Sequence, residues 1–499
     1  MGGGKAVTRY KKVLKLSVIM LLASALLGCE KGYDKPAQRI ETFHFRSATE
    51  LTKAIRSGEI SSVDLLNLYL ERIHRYNGDI NAVVALDIET AQARAAEADK
   101  ALAMGQNWGP LHGLPMTVKD VFEVVGMPAT SGDPGLKNHI PKSNAIAVQR
   151  LVDSGAIIFG KTNVPYHASD IQSYNDIYGT TNNPWDLSRT PGGSSGGSAA
   201  ALAAGLTPLE LGSDIGGSIR LPAGYNGIFG HKPTFGIVPR YGHIPPMPGQ
   251  LTQGAMPIIP LFVVGPLARS ADDLALALDV LTTSGSEKRN GGRSDLLPAR
   301  REQFRDYRVA VWFTDADPEA EIDADVLATL QRTVRRLRDA GLFVDEQARP
   351  QVTLKRSAEI WYKIYTEMQM RALPLNETFV AEQKREQAMW AEFFKDYDVL
   401  LTPVSPTVAF AHNHEGPLSE LSLAVNGKLK PMINSIVWSY MAIVSGLPAT
   451  VAPAGRNDSG LPVGIQIIGA RFEDRTTIDF ARGLSELTGG FVAPPGYKD

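Results

Sequence analysis

The sequence predicts an α/β protein, a single large domain with a central mixed β-sheet covered by helices on both faces. Three observations carry this. The chain ahead of Gly113 is patterned as helices, and from Gly113 onward short β-type runs alternate with helical segments, the order expected of a helix-covered sheet. The last third adds two apolar runs, Val399–Leu401 and Pro462–Ile468, suited to central strands.

Taken in order, Ser47-Ala48-Thr49-Glu50 has the spacing of a capping box, and Leu51, Ile55 and the break at Gly58 fit a short helix. A second helix over 62–76 sets Leu66, Leu70 and Ile73 on one face, and the Ala-rich stretch 89–104 forms a third. Met116–Val118, Ala156–Phe159 and Ile237–Val238 read as buried strands. Between the first two, Ala145–Ser154 reads as a helix stopped by Gly155. The polar Gly/Arg-rich stretch 286–301 reads as a surface loop. Arg308–Phe313, an amphipathic helix through Val326, Leu330, Val334 and Leu337, and a return strand Leu342–Val344 read as an elaboration on the main sheet. No internal repeat or heptad seam is present.

Composition narrows the class. With 499 residues, 43% hydrophobic and 21% charged, the chain is that of a folded soluble protein rather than a disordered or multispan one. The formal net charge is −2, and no basic stripe interleaves with aromatics, so nucleic acid is not an expected partner. Lys5, Arg9, Lys11, Lys12 and Lys15 precede the apolar run Leu16–Gly28, shorter than the roughly 20 residues a spanning helix needs. That order reads as an export signal over 1–28. The lone cysteine, Cys29, follows Leu26-Leu27-Gly28, and this resembles the lipobox of bacterial lipoproteins, whose cysteine is lipidated. The expected organisation is therefore signal 1–28, tether 29–45 and folded domain 46–499. The protein would be exported and held by lipid at Cys29 on a membrane, facing the periplasm or cell exterior. Whether it also forms a homodimer is left open.

The densest chemical signal is TPGGSSGGSAAALAAGLTPLELGSDIGGSIRLP over 190–222. Glycines there let backbone N–H groups converge, as stabilisation of an oxyanion beside a nucleophilic serine requires. Alone, a Gly/Ser cluster is more often a turn or linker. It is not a phosphate loop, because no Gly-Lys-Ser/Thr follows. It lies between helix-forming and strand-forming stretches, and Lys119 ends the apolar run of GLPMTVKD, an uncommon place for a lysine. Nine histidines are present without HExxH or paired ligand spacing. His412 and His414 read as part of a surface or substrate-rim loop, and His231 as structural. No metal or organic cofactor is expected.

GGSSGGSAAA, GSDIGGSIRLPA, GHKPTFGIVP, GLPMTVKD, GKTNVP, DVLLTPVSPT and GLPATVAP…GLPVGIQIIG together resemble the amidase signature family of serine amidases, over roughly 51–469. The resemblance implies the amidase signature fold and amide hydrolysis through a serine acyl-enzyme, without cofactor or metal. It implies that Ser218 is the nucleophile, that Ser194, preceded by a cis peptide bond, bridges nucleophile and base, and that Lys119 is the base. It further implies an oxyanion hole from the N–H groups of Ile215, Gly216, Gly217 and Ser218, with Ser195, Ser198, Asp214 and Arg220 in support. Lys119 should then be buried, because an exposed lysine with pKa about 10.4 is charged at neutral pH and cannot accept a proton. Many relatives carry glutamate where this chain has Tyr166. The expected substrate is a small-molecule amide. Its acyl pocket is read from 361–370, 411–420 and 438–441, whose aromatic and Met content suits an apolar group. Two other readings compete: the glutaminase subunit of a tRNA-dependent amidotransferase, against which the export signal counts, and a silent binding lipoprotein, against which the intact Lys119, Ser194 and Ser218 count.

Overall fold

The computed structural model describes residues 43–248, 261–282, 296–369 and 377–498. The signal 1–28, Cys29, most of the tether, and 283–295 of the polar loop lie outside the described residues.

The N-terminal layer forms where local capping demands it. Helix α1 (Ala48–Arg56) starts at Ser47, whose side chain accepts from Glu50 N while the Glu50 carboxylate accepts from Ser47 N. Helix α2 (Ser62–Ile80) ends at Asn81 in the left-handed region. Strand β1 (Val83–Leu86) leads into α3 (Ile88–Ala103), capped by Asp87. Then follow β2 (Pro115–Lys119), α4 (Ile146–Asp153), β3 (Ile157–Thr162) and the small ribbon β4 (Tyr174–Asn175) and β5 (Gly179–Thr180). Helix α5 (Gly196–Ala203), β6 (Leu209–Asp214), α6 (Arg220–Asn226), β7 (Phe229–Lys232), β8 (Val263–Ala268) and α7 (Ala271–Thr282) form the middle of the chain. The remainder is β9 (Arg308–Val311), α8 (Ala324–Asp339), β10 (Phe343–Asp345), α9 (Leu354–Gln369), α10 (Glu377–Asp396), β11 (Val399–Pro403), the ribbon β12 (Ser422–Val425) and β13 (Lys428–Pro431), α11 (Tyr440–Val444), β14 (Ala449–Arg456), β15 (Pro462–Ile468) and α12 (Asp474–Thr488).

Eleven strands make one mixed sheet in the order β1-β3-β2-β6-β8-β7-β14-β15-β11-β9-β10. β2 runs parallel to both β3 and β6, and β9 parallel to β11 and β10; the pairs between them are antiparallel. Successive strand residues face opposite sides of a sheet, and β14 shows both faces covered. Thr450 bonds Thr477 of α12 at 2.8 Å, while its neighbour Val451 joins the cluster of Ala199, Leu202, Ala203, Ile219, Ala223, Ile228, Leu267 and Val404 under α5 and α6. Alanines on α5 let that helix lie close against the sheet. Every one of its residues is buried.

One expectation is corrected. Ile237–Val238 is a buried turn, not a strand; Pro233, Gly236 (φ +91°) and Pro239 interrupt pairing, and the strand is β7 just before it. Near the start of the described residues, the Phe45 ring lies 5.8 Å from that of Phe491 and carries the Arg72 and Arg269 guanidinium groups. The 308–344 unit extends the sheet through β9 and β10, as read from its pattern.

Candidate active site

Lys119 stands at the last position of β2, between two parallel neighbours, on a strand buried at every residue. Its ammonium group has no contact with water, and burial lowers its pKa from 10.5 to about 7 against the opposing pull of Asp214 and Glu210. Nζ donates to Ser194 Oγ at 2.6 Å and to Ser213 Oγ at 3.1 Å. Glu210, two strand positions from Gly212, bonds the Thr117 hydroxyl; burial pushes its pKa up to about 8 despite the Thr117, Ser198 and Thr162 hydroxyls.

Ser194 enters through a cis Gly193–Ser194 peptide. The surrounding glycines are needed for space: a Cβ on Gly193 would lie 2.6 Å from Asp170 O, and one on Gly197 2.6 Å from Asn163 O. Ser195 N–H donates to Ser218 O at 3.2 Å and its hydroxyl to Ser213 O at 3.4 Å, which ties the Ser194 segment to that of Ser218. Ser198 shares a 2.8 Å hydrogen bond with Thr162 on β3. No hydrogen bond joins Ser218 to Ser194 among the described residues.

The turn 215–218 is wound around Asp214. Its carboxylate accepts from Gly217 N at 2.8 Å and Ile219 N at 3.1 Å, and pairs with Arg220 at 2.9–3.0 Å. Burial alone would raise the Asp214 pKa; the charge and hydrogen bonds of Arg220 outweigh it and hold it below the usual carboxylate range. Arg220 continues to Ser439 O at 2.9 Å and Gln466 at 2.6 Å. One expectation changes here. The Gly217 N–H, one of the four expected to face an oxyanion, is taken up by Asp214, which leaves those of Ile215, Gly216 and Ser218 for the proposed role. Ile215 and Ser218 are partly exposed while their neighbours are buried, which opens the turn toward an incoming ligand.

Of the expected pocket segments, two reach this turn. Trp361 Nε1 donates to Ile215 O at 2.6 Å, its ring meets Gly216, and Ser439 lies against Gly217. Trp361 stacks with Tyr365 and packs on Tyr440, while Met370 lies outside the described residues. Residues 411–415 of the 411–420 loop line a separate cavity of about 640 Å³, with Arg189 and Met432; Gln172, whose backbone packs close beside Gly193, bonds Asn413 O. His412 and His414 lie on this rim with rings 5.5 Å apart, and among the described residues no group of His, Cys, Asp and Glu is arranged for a metal. His231 bridges Thr450 and Asp474, a structural role. Tyr166 is exposed and stacked on His167.

The Amidase family model matches residues 64–377 and 353–478. The chain belongs to the Amidase family. It is 34% identical to a glutamyl-tRNA(Gln) amidotransferase subunit from Anaeromyxobacter dehalogenans, over 89% of this chain and 97% of that protein. It is 30% identical to human fatty-acid amide hydrolase 2, over 95% and 94%. A crystal structure described as an amidase superposes with TM-score 0.73 at 29% identity, covering 89% of this chain and all of that one. The enzyme is an amide hydrolase with the family's single α/β domain.

Sequence reasoning missed Ser213, which accepts from Lys119, and Glu210. Glu210 carried a usable signal, a carboxylate inside the apolar strand Leu209–Leu211, the same anomaly that marked Lys119.

Proposed function

We propose that the enzyme cleaves amides bearing an apolar acyl group through an acyl-enzyme on Ser218, with Ser194 as proton bridge and Lys119 as base. The observation that carries this reading is a fully buried lysine of pKa about 7 donating to Ser194 at 2.6 Å. A serine hydroxyl is a weak nucleophile until a base takes its proton. The uncharged Lys119 amine takes the Ser194 proton while Ser194 takes that of Ser218. Ser218 Oγ then bonds to the carbonyl carbon, and the oxygen that gains charge lies against the N–H groups of Ile215, Gly216 and Ser218. The proton returns through Ser194 to the leaving nitrogen as the C–N bond breaks. Water, deprotonated by the same route, cleaves the ester and releases the carboxylate.

The aromatic wall of Trp361, Tyr365 and Tyr440 beside 215–217 supports an apolar acyl group, as does similarity to fatty-acid amide hydrolases. The basic head, short apolar run and Cys29 support an exported, lipid-anchored enzyme, and that leader disfavours membership of a cytoplasmic amidotransferase. The reading is tested by a panel of amides of increasing acyl length, with hydroxylamine as acceptor. Wild type forms hydroxamates faster with longer acyl chains, and Ser218→Ala forms none. Normal turnover by Ser218→Ala would reject the nucleophile, and a preference for small polar amides would reject the apolar pocket.

A further inference from the structure

Lys119 has a second hydroxyl partner that the acyl-transfer scheme leaves idle. Ser213 Oγ lies 3.1 Å from Lys119 Nζ and 2.9 Å from His243 Nε2. His243 comes from the RYGHIPP segment, 30 residues further along. Its ring is held between Phe122 and Phe262, with centroids at 5.3 and 4.4 Å. Its Nδ1 is 3.0 Å from Pro245 O. A carbonyl oxygen only accepts, so Nδ1 carries the hydrogen of a neutral ring and Nε2 presents a lone pair. The ring is neutral: burial, then the nearby Lys119 charge, lowers its pKa to about 3.

We infer that His243 is a positioning residue for Lys119: it accepts the Ser213 hydroxyl proton, leaves Ser213 Oγ able only to accept from Lys119, and so directs the lone pair of the uncharged amine at Ser194. The inference rests on Lys119 being the base. A neutral amine has two N–H bonds and one lone pair. If the Ser213 hydroxyl were free to rotate, it would donate into that lone pair and compete with Ser194 for it. The fixed polarity His243 ← Ser213 ← Lys119 ← Ser194 removes the competition. The charged or titratable groups facing Lys119 are Asp214, Glu210 and His243, and those facing His243 are Lys119 and Arg240. Asp214 is already matched by Arg220.

The test is the pH profile of kcat/KM for His243→Leu, His243→Gln, Ser213→Ala and the Leu/Ala double variant. In His243→Leu the plateau falls about tenfold, the scale of one redirected hydrogen bond. Its acid limb moves to lower pH, because a hydroxyl donating to the amine favours the uncharged form. Mere loosening of the site would admit water and move that limb upward, which would overturn the inference. His243→Gln, with an amide oxygen as acceptor, restores most of the plateau. The double variant matches Ser213→Ala alone; a further loss would show that His243 does not act through Ser213. Should His243→Leu fail to fold, Ser213→Ala decides, with a lowered acid limb expected and an unmoved one overturning the inference. Lys119→Met keeps the two readings apart. If it turns over normally, the base assignment fails; if it is inactive while the His243 variants match wild type, only the present inference fails.

Discussion

A lysine serves as a base only while it lacks a proton, and the pKa of about 7 at Lys119 sets where that holds. As pH falls below about 7 the amine is protonated and kcat/KM should drop with it, the acid limb following a single ionisation. Removing the proposed base should cost about 10²–10⁴ in kcat, measurable with Lys119→Met. The same substitution should stabilise the fold. The unfolded chain holds its lysine near 10.5 and the folded chain near 7, so between these values only the unfolded state binds the proton, and stability falls as pH is lowered across the interval. Lys119→Met removes that penalty. Its melting temperature should exceed that of wild type at neutral pH, with the gap closing toward about pH 10; a lower value throughout would mean packing outweighs charge.

At the level of elements, the site is a set of strand ends and glycine turns pressed together. Gly197→Ala would drive a methyl into the Asn163 backbone, costing about 1–3 kcal/mol by overpacking, to be read from denaturant unfolding. Arg220→Met would strand Asp214 fully buried, a loss of about 3–5 kcal/mol, and would release the 215–218 turn, so activity should fall even where the protein still folds. The glycine-rich elements were legible because motif and chemistry coincide there. Lys119 stood out as a charge ending an apolar run. Ser213 was masked by its more conspicuous neighbour Asp214. His243 lies in a Gly/Pro segment without periodicity, where pattern says nothing about which strand it will face. Ile237–Val238 looked like a strand because two buried apolar residues in a turn carry no period at all. That the Gly217 N–H belongs to Asp214 is set by how the 215–218 turn wraps the carboxylate, which the motif spacing does not express.

Across the whole molecule, the class was readable from the alternation of β-type and helical runs, whereas the strand order was not. β8 inserts between β6 and β7, and β14 and β15 separate β7 from β11, placements decided by tertiary packing rather than local pattern. Cys29 lies ahead of the folded unit that begins at His44. The proposed anchor is therefore separable from the chemistry: Cys29→Ala should move the protein from the membrane to the soluble fraction while leaving kcat unchanged. A variant still sedimenting with membranes would refute the anchor.

Arg220 reaches Gln466 on β15, 246 residues further along the chain. The loop proposed to grip a substrate thus depends on a strand contributed from far along the chain. A chain in which these two segments have not yet met would hold Lys119, Ser194 and Ser218 but lack this brace, so the proposed reactive set forms only once distant parts of the sequence have folded together.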